Sequence, residues 1–174
     1  IEYKYDDFGR LLEVYRNDDS PNSPSKRFEY VDTDPRSETV YIKKDASNYF
    51  NPVTTFYDRL GRPFKTEQLD TDSLPAYIDI TYNAQGEQKE VSRPYKQGDT
   101  VLYTVFEKYD ALSRVKEVSF PNIGDTIQNI YGASNVIQID REAIKTITET
   151  DAHGNIINIT QAAGTEDETI TLQK

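Results

Sequence analysis

Tyr5-Asp6-Asp7-Phe8-Gly9-Arg10 is a six-residue pattern that returns four more times along the 174-residue chain. The later copies are Tyr57-Asp58-Arg59-Leu60-Gly61-Arg62, Tyr82-Asn83-Ala84-Gln85-Gly86-Glu87, Tyr109-Asp110-Ala111-Leu112-Ser113-Arg114 and Thr150-Asp151-Ala152-His153-Gly154-Asn155. A pattern repeated at this scale is the first guide to architecture, ahead of any local propensity.

Strand formers precede the copies, as in Ile1 to Tyr5, Thr54 to Tyr57, Ile78 to Tyr82 and Thr104 to Tyr109, and a short apolar-rich run follows each. That is the signature of a β-hairpin. The Asp or Asn accepts hydrogen bonds from main-chain N–H groups further along the turn. The Gly three positions later suits the left-handed residue that closes a type I turn with a bulge. Ser113 stands at that Gly position, so it must take a positive φ or sit in a different turn. The first two copies are expected to be the most regular.

Counting from the Gly position, the second residue is Leu11, Pro63, Gln88, Val115 or Ile156, and the fifth is Val14, Thr66, Val91, Val118 or Ile159. A separation of three breaks the two-residue period of a flat strand. Either a bulge absorbs one residue or both faces of the arm are partly covered, and the turn Gly favours the bulge.

These residues resemble the Rhs or YD-repeat family, named for the Tyr-Asp pair and the Gly-Arg that follows it. Tyr5-Asp6 with Gly9-Arg10 and Tyr57-Asp58 with Gly61-Arg62 match the whole motif, and Tyr109-Asp110 with Arg114 matches all but the Gly. Tyr82-Asn83 with Gly86 and Asp151 with Gly154 are partial copies. The resemblance covers residues 5 to 155. It implies an all-β array of antiparallel hairpins forming a curved or spiralling sheet, a fragment of a larger shell. In that family, which includes bacterial Rhs proteins, the B and C subunits of Tc toxins and the teneurins, such shells can enclose a C-terminal toxin. No counterpart of the segment that closes an Rhs shell, or of its self-cleaving aspartate pair, is seen here, so the likeness is to a piece of wall. The partners it implies are the remainder of a parent polypeptide and an enclosed toxin domain, and the location is secreted or cell-surface. The teneurin likeness implies the rival role of an adhesion or carbohydrate-binding module taking a cell-surface glycan.

Composition sets bounds. The chain starts at Ile1 and contains no Met, and it is expected to be an excised or processed fragment. Thirteen Tyr with no Trp or Cys point to half-buried sheets and exclude a disulfide frame. The net charge of −10 argues against a nucleic-acid partner, which would need clustered Lys and Arg. No membrane span is read from the sequence, and the mean hydropathy is −0.76.

Taken in order, the whole of residues 1 to 174 reads as one hairpin array. Residues 17 to 26, with two prolines, form its clearest loop. Arg27 to Val31 and Glu38 to Lys43 make a degenerate hairpin around Asp32 to Arg36, which explains why the step from Tyr5 to Tyr57 is about twice that from Tyr57 to Tyr82. Asp70 to Pro75 and Pro121 to Asp125 are connections. An extra hairpin lies within Thr126 to Glu149, and residues 165 to 174 end in an edge strand or a frayed tail. Unpaired edge strands of an isolated wall would tend to pair between copies.

No residue announces a chemistry, and neither catalysis nor a cofactor is expected. His153, the sole histidine, lies in a turn, where a solvated residue is the simpler reading than a general base. Asp32 with Asp34 and Asp70 with Asp72 offer alternating carboxylates to Ca²⁺, but neither continues into a full EF-hand loop. Acidic residues are numerous enough to supply a glycosidase pair, yet spacing alone places no two across a cleft. Tyr3, Tyr5, Tyr57, Tyr82 and Tyr109 read as core stacked between hairpins, with a sugar-binding platform as the functional alternative.

Overall fold

The structure is a computed structural model describing residues 1–45, 48–70, 74–121 and 125–172. Among these residues the chain forms sixteen β-strands and no helix. No helix is long and apolar enough to cross a membrane. The chain divides into two compact units, one holding Ile1–Thr81 with Ser92–Val101 and the other Tyr82–Val91 with Leu102–Lys174.

In the first unit β1 (Glu2–Tyr5), β2 (Leu11–Tyr15), β3 (Lys26–Val31), β4 (Arg36–Ile42), β5 (Val53–Tyr57), β6 (Pro63–Leu69) and β7 (Pro75–Tyr82) lie side by side in chain order. The second unit continues with β8 (Gln88–Ser92), while β9 (Tyr95–Lys96) returns to the first and pairs with β7. β10 (Tyr103–Tyr109), β11 (Val115–Ser119), β12 (Thr126–Tyr131), β13 (Asn135–Ile139), β14 (Lys145–Thr150), β15 (Ile156–Gln161) and β16 (Thr169–Leu172) complete the second unit, again in chain order. The architecture is the expected all-β hairpin array.

The expected bulge is present. Tyr5 pairs with Leu11 but Lys4 with Glu13, and Tyr57 pairs with Pro63 but Phe56 with Lys65. The same one-residue offset follows Tyr109 opposite Val115 and Thr150 opposite Ile156. It falls between the two repeated arm positions and accounts for their separation of three.

Residues 17 to 26 form the expected loop up to Ser25, and Lys26 already begins β3. The Asp19 carboxylate ties the loop down. It accepts bonds from the Arg16 N–H at 2.8 Å and the Ser25 hydroxyl at 2.5 Å, and it pairs with Lys43 Nζ at 2.7 Å. These contacts hold its carboxyl far below the usual carboxylate range, the Arg16 N–H contributing most and Lys43 next. The degenerate hairpin is β3 and β4. The extra hairpin is β12 and β13, and Thr169–Leu172 is an edge strand paired with β15. Residues 71–73 and 122–124, inside two expected connections, lie outside the described residues, as does the tip of the 165–174 tail beyond Leu172.

Each unit is one layer of sheet. Among the described residues only Tyr15, Pro24 and Ser92 are buried, Tyr15 at 8% and Ser92 at 4% exposure. The accessible surface is 12065 Å², against about 8,700 Å² for a compact protein of this mass. Apolar side chains line up across strands instead of closing a core. Phe28, Val40 and Val53 stand opposite one another in the first unit, and Ile130, Ile137 and Ile147 in the second. Tyr3 and Tyr5, expected to stack as core, are exposed because β1 has β2 as its one paired neighbour. Tyr57, Tyr82 and Tyr109, flanked on both sides, are half-buried.

The left-handed positions give a direct test. Ser113 and Ala143 have φ of 58° and 60°, and Gly61 has 80°. Replacing Ser113 or Ala143 with Gly should stabilise the chain by about 0.5–1 kcal/mol each, and Gly61→Ala should cost about 1 kcal/mol. Urea midpoints measure both, and a loss of stability in Ser113→Gly would count against this turn geometry.

Candidate functional site: the repeated turn and its neighbours

Every copy closes the same way. In the first, the Asp6 N–H donates to the Arg10 carbonyl at 2.9 Å and the Gly9 N–H to the Asp6 carbonyl at 3.0 Å. Asp6 Oδ1 accepts the N–H groups of Phe8 at 2.9 Å and Arg10 at 2.8 Å. The second oxygen takes the Arg10 Nε at 2.7 Å. Asp58 with Gly61 and Arg62, and Asp110 with Ser113 and Arg114, repeat this arrangement bond for bond. Ser113 adopts the left-handed conformation in an unchanged turn. The turn itself is as regular as the first two, while its hairpin carries a second register shift, between Phe106 and Lys108, that theirs lack.

Where the pair changes, a side-chain bond is kept with new partners. Asn83 keeps the two main-chain bonds through Oδ1, near Gly86, and its amide donates to Glu87 Oε2 at 2.8 Å. Asp151, near Gly154, receives the Asn155 amide at 2.9 Å. The Asp–Arg pair lies within one turn, and Arg10 also reaches between turns to Asp32 at 2.7 Å.

Sequence reasoning missed a sixth turn. Asp140 Oδ1 accepts the N–H groups of Glu142 and Ile144, and Ala143 takes the Gly position. Neither Tyr, Gly nor Arg marks it; the available signal was an Asp between two apolar runs. The Asp70 N–H also donates to the Leu74 carbonyl at 2.9 Å, and Asp70 Oδ1 accepts the Leu74 N–H at 3.0 Å.

A neighbouring strand completes several turns. The carbonyl two residues past the Gly position accepts the Tyr30 hydroxyl at Leu11, the Tyr109 hydroxyl at Gln88 and the Tyr131 hydroxyl at Val115, at 2.9, 2.5 and 2.8 Å. At Lys145 the donor is the Ala163 N–H. The Arg10 guanidinium lies 4.4 Å over the Tyr30 ring and that of Arg114 lies 4.2 Å over Tyr131. Burial raises the Tyr30, Tyr57 and Tyr109 hydroxyls above the ordinary phenol value, with Glu38 adding to the first two and Glu87 to the third. They stay protonated as donors.

The other candidates resolve into turns and ion pairs. Asp32 faces Arg10, and Asp34 faces Arg59 at 3.2 Å. Asp70 pairs with Lys96, and Asp72 lies outside the described residues. Among the described residues no three His, Cys, Asp or Glu side chains gather where a metal ion could sit. His153 is exposed, and its N–H donates to Asp151. At the turn tips Phe8, Leu60 and Leu112 are 82%, 78% and 73% exposed, all at the same position of the repeat.

Comparison with protein-family models and with curated proteins finds no match. The likeness to YD repeats rests on the turn residues themselves.

The turn carboxylates carry a pH signature. The Arg62 N–H is the main influence holding Asp58 below the ordinary value of 3.8, with burial opposing it and the Arg62 guanidinium reinforcing it. Asp110 is lowered chiefly by the Arg114 side chain. A depressed carboxyl contributes fully above its unfolded value and loses that contribution as pH falls through the folded one. Asp58→Asn with Asp110→Asn, which copies the amide that Asn83 already places in this turn, should therefore lower Tm at neutral pH, and the gap to wild type should narrow as pH falls below 3.8. Thermal melts across that range measure it; a gap independent of pH would exclude the titrating role.

Proposed function

We propose that this chain is a structural segment of a YD-repeat shell, a wall that excludes an enclosed partner from solvent until release. The observation that carries it is the single layer: two units built on one recurring turn, with almost nothing buried between faces. Repeat arrays gain stability from neighbours instead of a central core, so such a sheet is suited to being extended along its strand order. The partners in this reading are the remainder of the parent polypeptide and an enclosed toxin or effector domain, in a secreted or cell-surface setting. The chain itself carries out no reaction.

A second reading, an extracellular adhesion or carbohydrate-binding module, is favoured by one observation. Tyr30 and Tyr57 wall a polar cleft near the turns of the first unit.

Two measurements separate these readings. Limited proteolysis of the parent polypeptide should leave an enclosed domain intact while its isolated form is cut; equal cleavage of both would remove the wall. Tyr57→Ala should cost about 1–3 kcal/mol, as expected for a half-buried aromatic ring between two strands. A variant that keeps its Tm but loses glycan binding would favour the adhesion reading.

A further inference from the structure

The cleft beside the first two turns is built by three consecutive hairpins. It encloses about 190 Å³, and its wall includes Arg10, Tyr30, Asp32, Arg36, Glu38 and Tyr57. This is below the roughly 300–1,000 Å³ of pockets that hold drug-sized ligands, so it has room for one small ring.

Its polar groups are not equally engaged. Arg10 commits its guanidinium to Asp6 and to both oxygens of Asp32. Tyr30 gives its hydroxyl to the Leu11 carbonyl and Tyr57 gives its own to Glu38 Oε2 at 3.3 Å. Arg36 uses one Nη on the Asp58 carbonyl at 3.1 Å. Its other N–H groups, and Glu38 Oε1, make no hydrogen bond among the described residues. The cleft thus offers free donors on Arg36 and a free acceptor on Glu38, with two tyrosine rings supplying apolar surface.

The charges decide the ligand class. Two guanidiniums and two carboxylates sum to zero, so an anion would meet Asp32 and Glu38 and a cation would meet Arg10 and Arg36. A neutral group that both donates and accepts satisfies Arg36 and Glu38 at once, which is what a hydroxyl does. A ring carrying adjacent hydroxyls and a C–H face that packs on tyrosine fits all three requirements.

We propose that this cleft binds one neutral hexose unit, with Arg36 donating to and Glu38 accepting from adjacent sugar hydroxyls. The proposal deepens the carbohydrate-binding reading and is independent of the wall, since a wall segment can carry such a site. Affinity for a single unit is in the millimolar range, as expected for a small ring held by a few contacts.

The test is saturation-transfer NMR on the 174-residue chain with glucose, galactose, mannose and N-acetylglucosamine, using acetate and tetramethylammonium as charged probes. Amide shift mapping identifies the site. The expected result is transfer to at least one sugar, with shifts centred on Tyr30, Arg36, Glu38 and Tyr57. Affinity should fall about tenfold in Arg36→Lys and in Glu38→Gln, the effect of losing one good hydrogen bond, with Tm unchanged. Sugar binding whose shifts map elsewhere overturns this site and leaves the carbohydrate reading standing. No transfer from any sugar overturns both, while stronger binding of acetate or tetramethylammonium overturns the neutral-ligand assignment. Sugar binding that persists in both variants overturns the roles given to Arg36 and Glu38.

Discussion

A single oxygen atom organises this molecule. In each turn one side-chain oxygen, from Asp or Asn, accepts the main-chain N–H groups two and four residues on. Those donors would otherwise point into the turn without partners, so the side chain substitutes for a strand that the reversing chain cannot supply. In the five copies of the repeat the residue four places on then closes over the second atom of the same side chain. Its identity follows its partner: Arg against Asp, Glu against Asn, and Asn against Asp. Such exposed pairs contribute little individually, but here they orient the group that fixes the turn.

Because the turns are self-sufficient, the sheet depends little on a core. Its cohesion is the antiparallel ladder together with cross-strand contacts such as Thr39 with Thr54 at 2.9 Å and Tyr77 with Tyr95 at 5.7 Å between ring centres. Aromatic and β-branched pairs of this kind are the usual source of sheet stability. Tyrosine serves the arrangement better than phenylalanine would. Its ring packs beneath an arginine while its hydroxyl reaches the carbonyl just before the bulge of an adjacent strand.

The all-β class, the five marked turns and the bulge were legible in the sequence, because each rests on local chemistry that Asp, Asn and Gly express at fixed spacing. Less was legible where geometry persists without its marker. Ala143 adopts the left-handed conformation that Gly holds elsewhere, and the surrounding bonds compensate. The short β9 was missed because Tyr95 is held by a distant Asp79, at 2.5 Å, and not by a strand-like run. Which aromatic rings are buried was also not local information. Tyr3 and Tyr57 are both tyrosines in strands before a turn, and they differ in how many strands flank them. The cleft escaped notice for a related reason, since Arg36, Glu38 and Tyr57 converge only through strand pairing.

The bulge after each of four turns displaces the register by the same single residue. In most sheets, inserting a pair of strands risks a one-residue slip that turns every following side chain to the opposite face. Here the shifts fall within hairpins, and the pairings between hairpins, such as β4 with β5, β6 with β7 and β11 with β12, run without a slip. Unequal crossing-over between copies of the underlying gene segment could therefore add or remove whole hairpins and lengthen or shorten the array without scrambling its two faces.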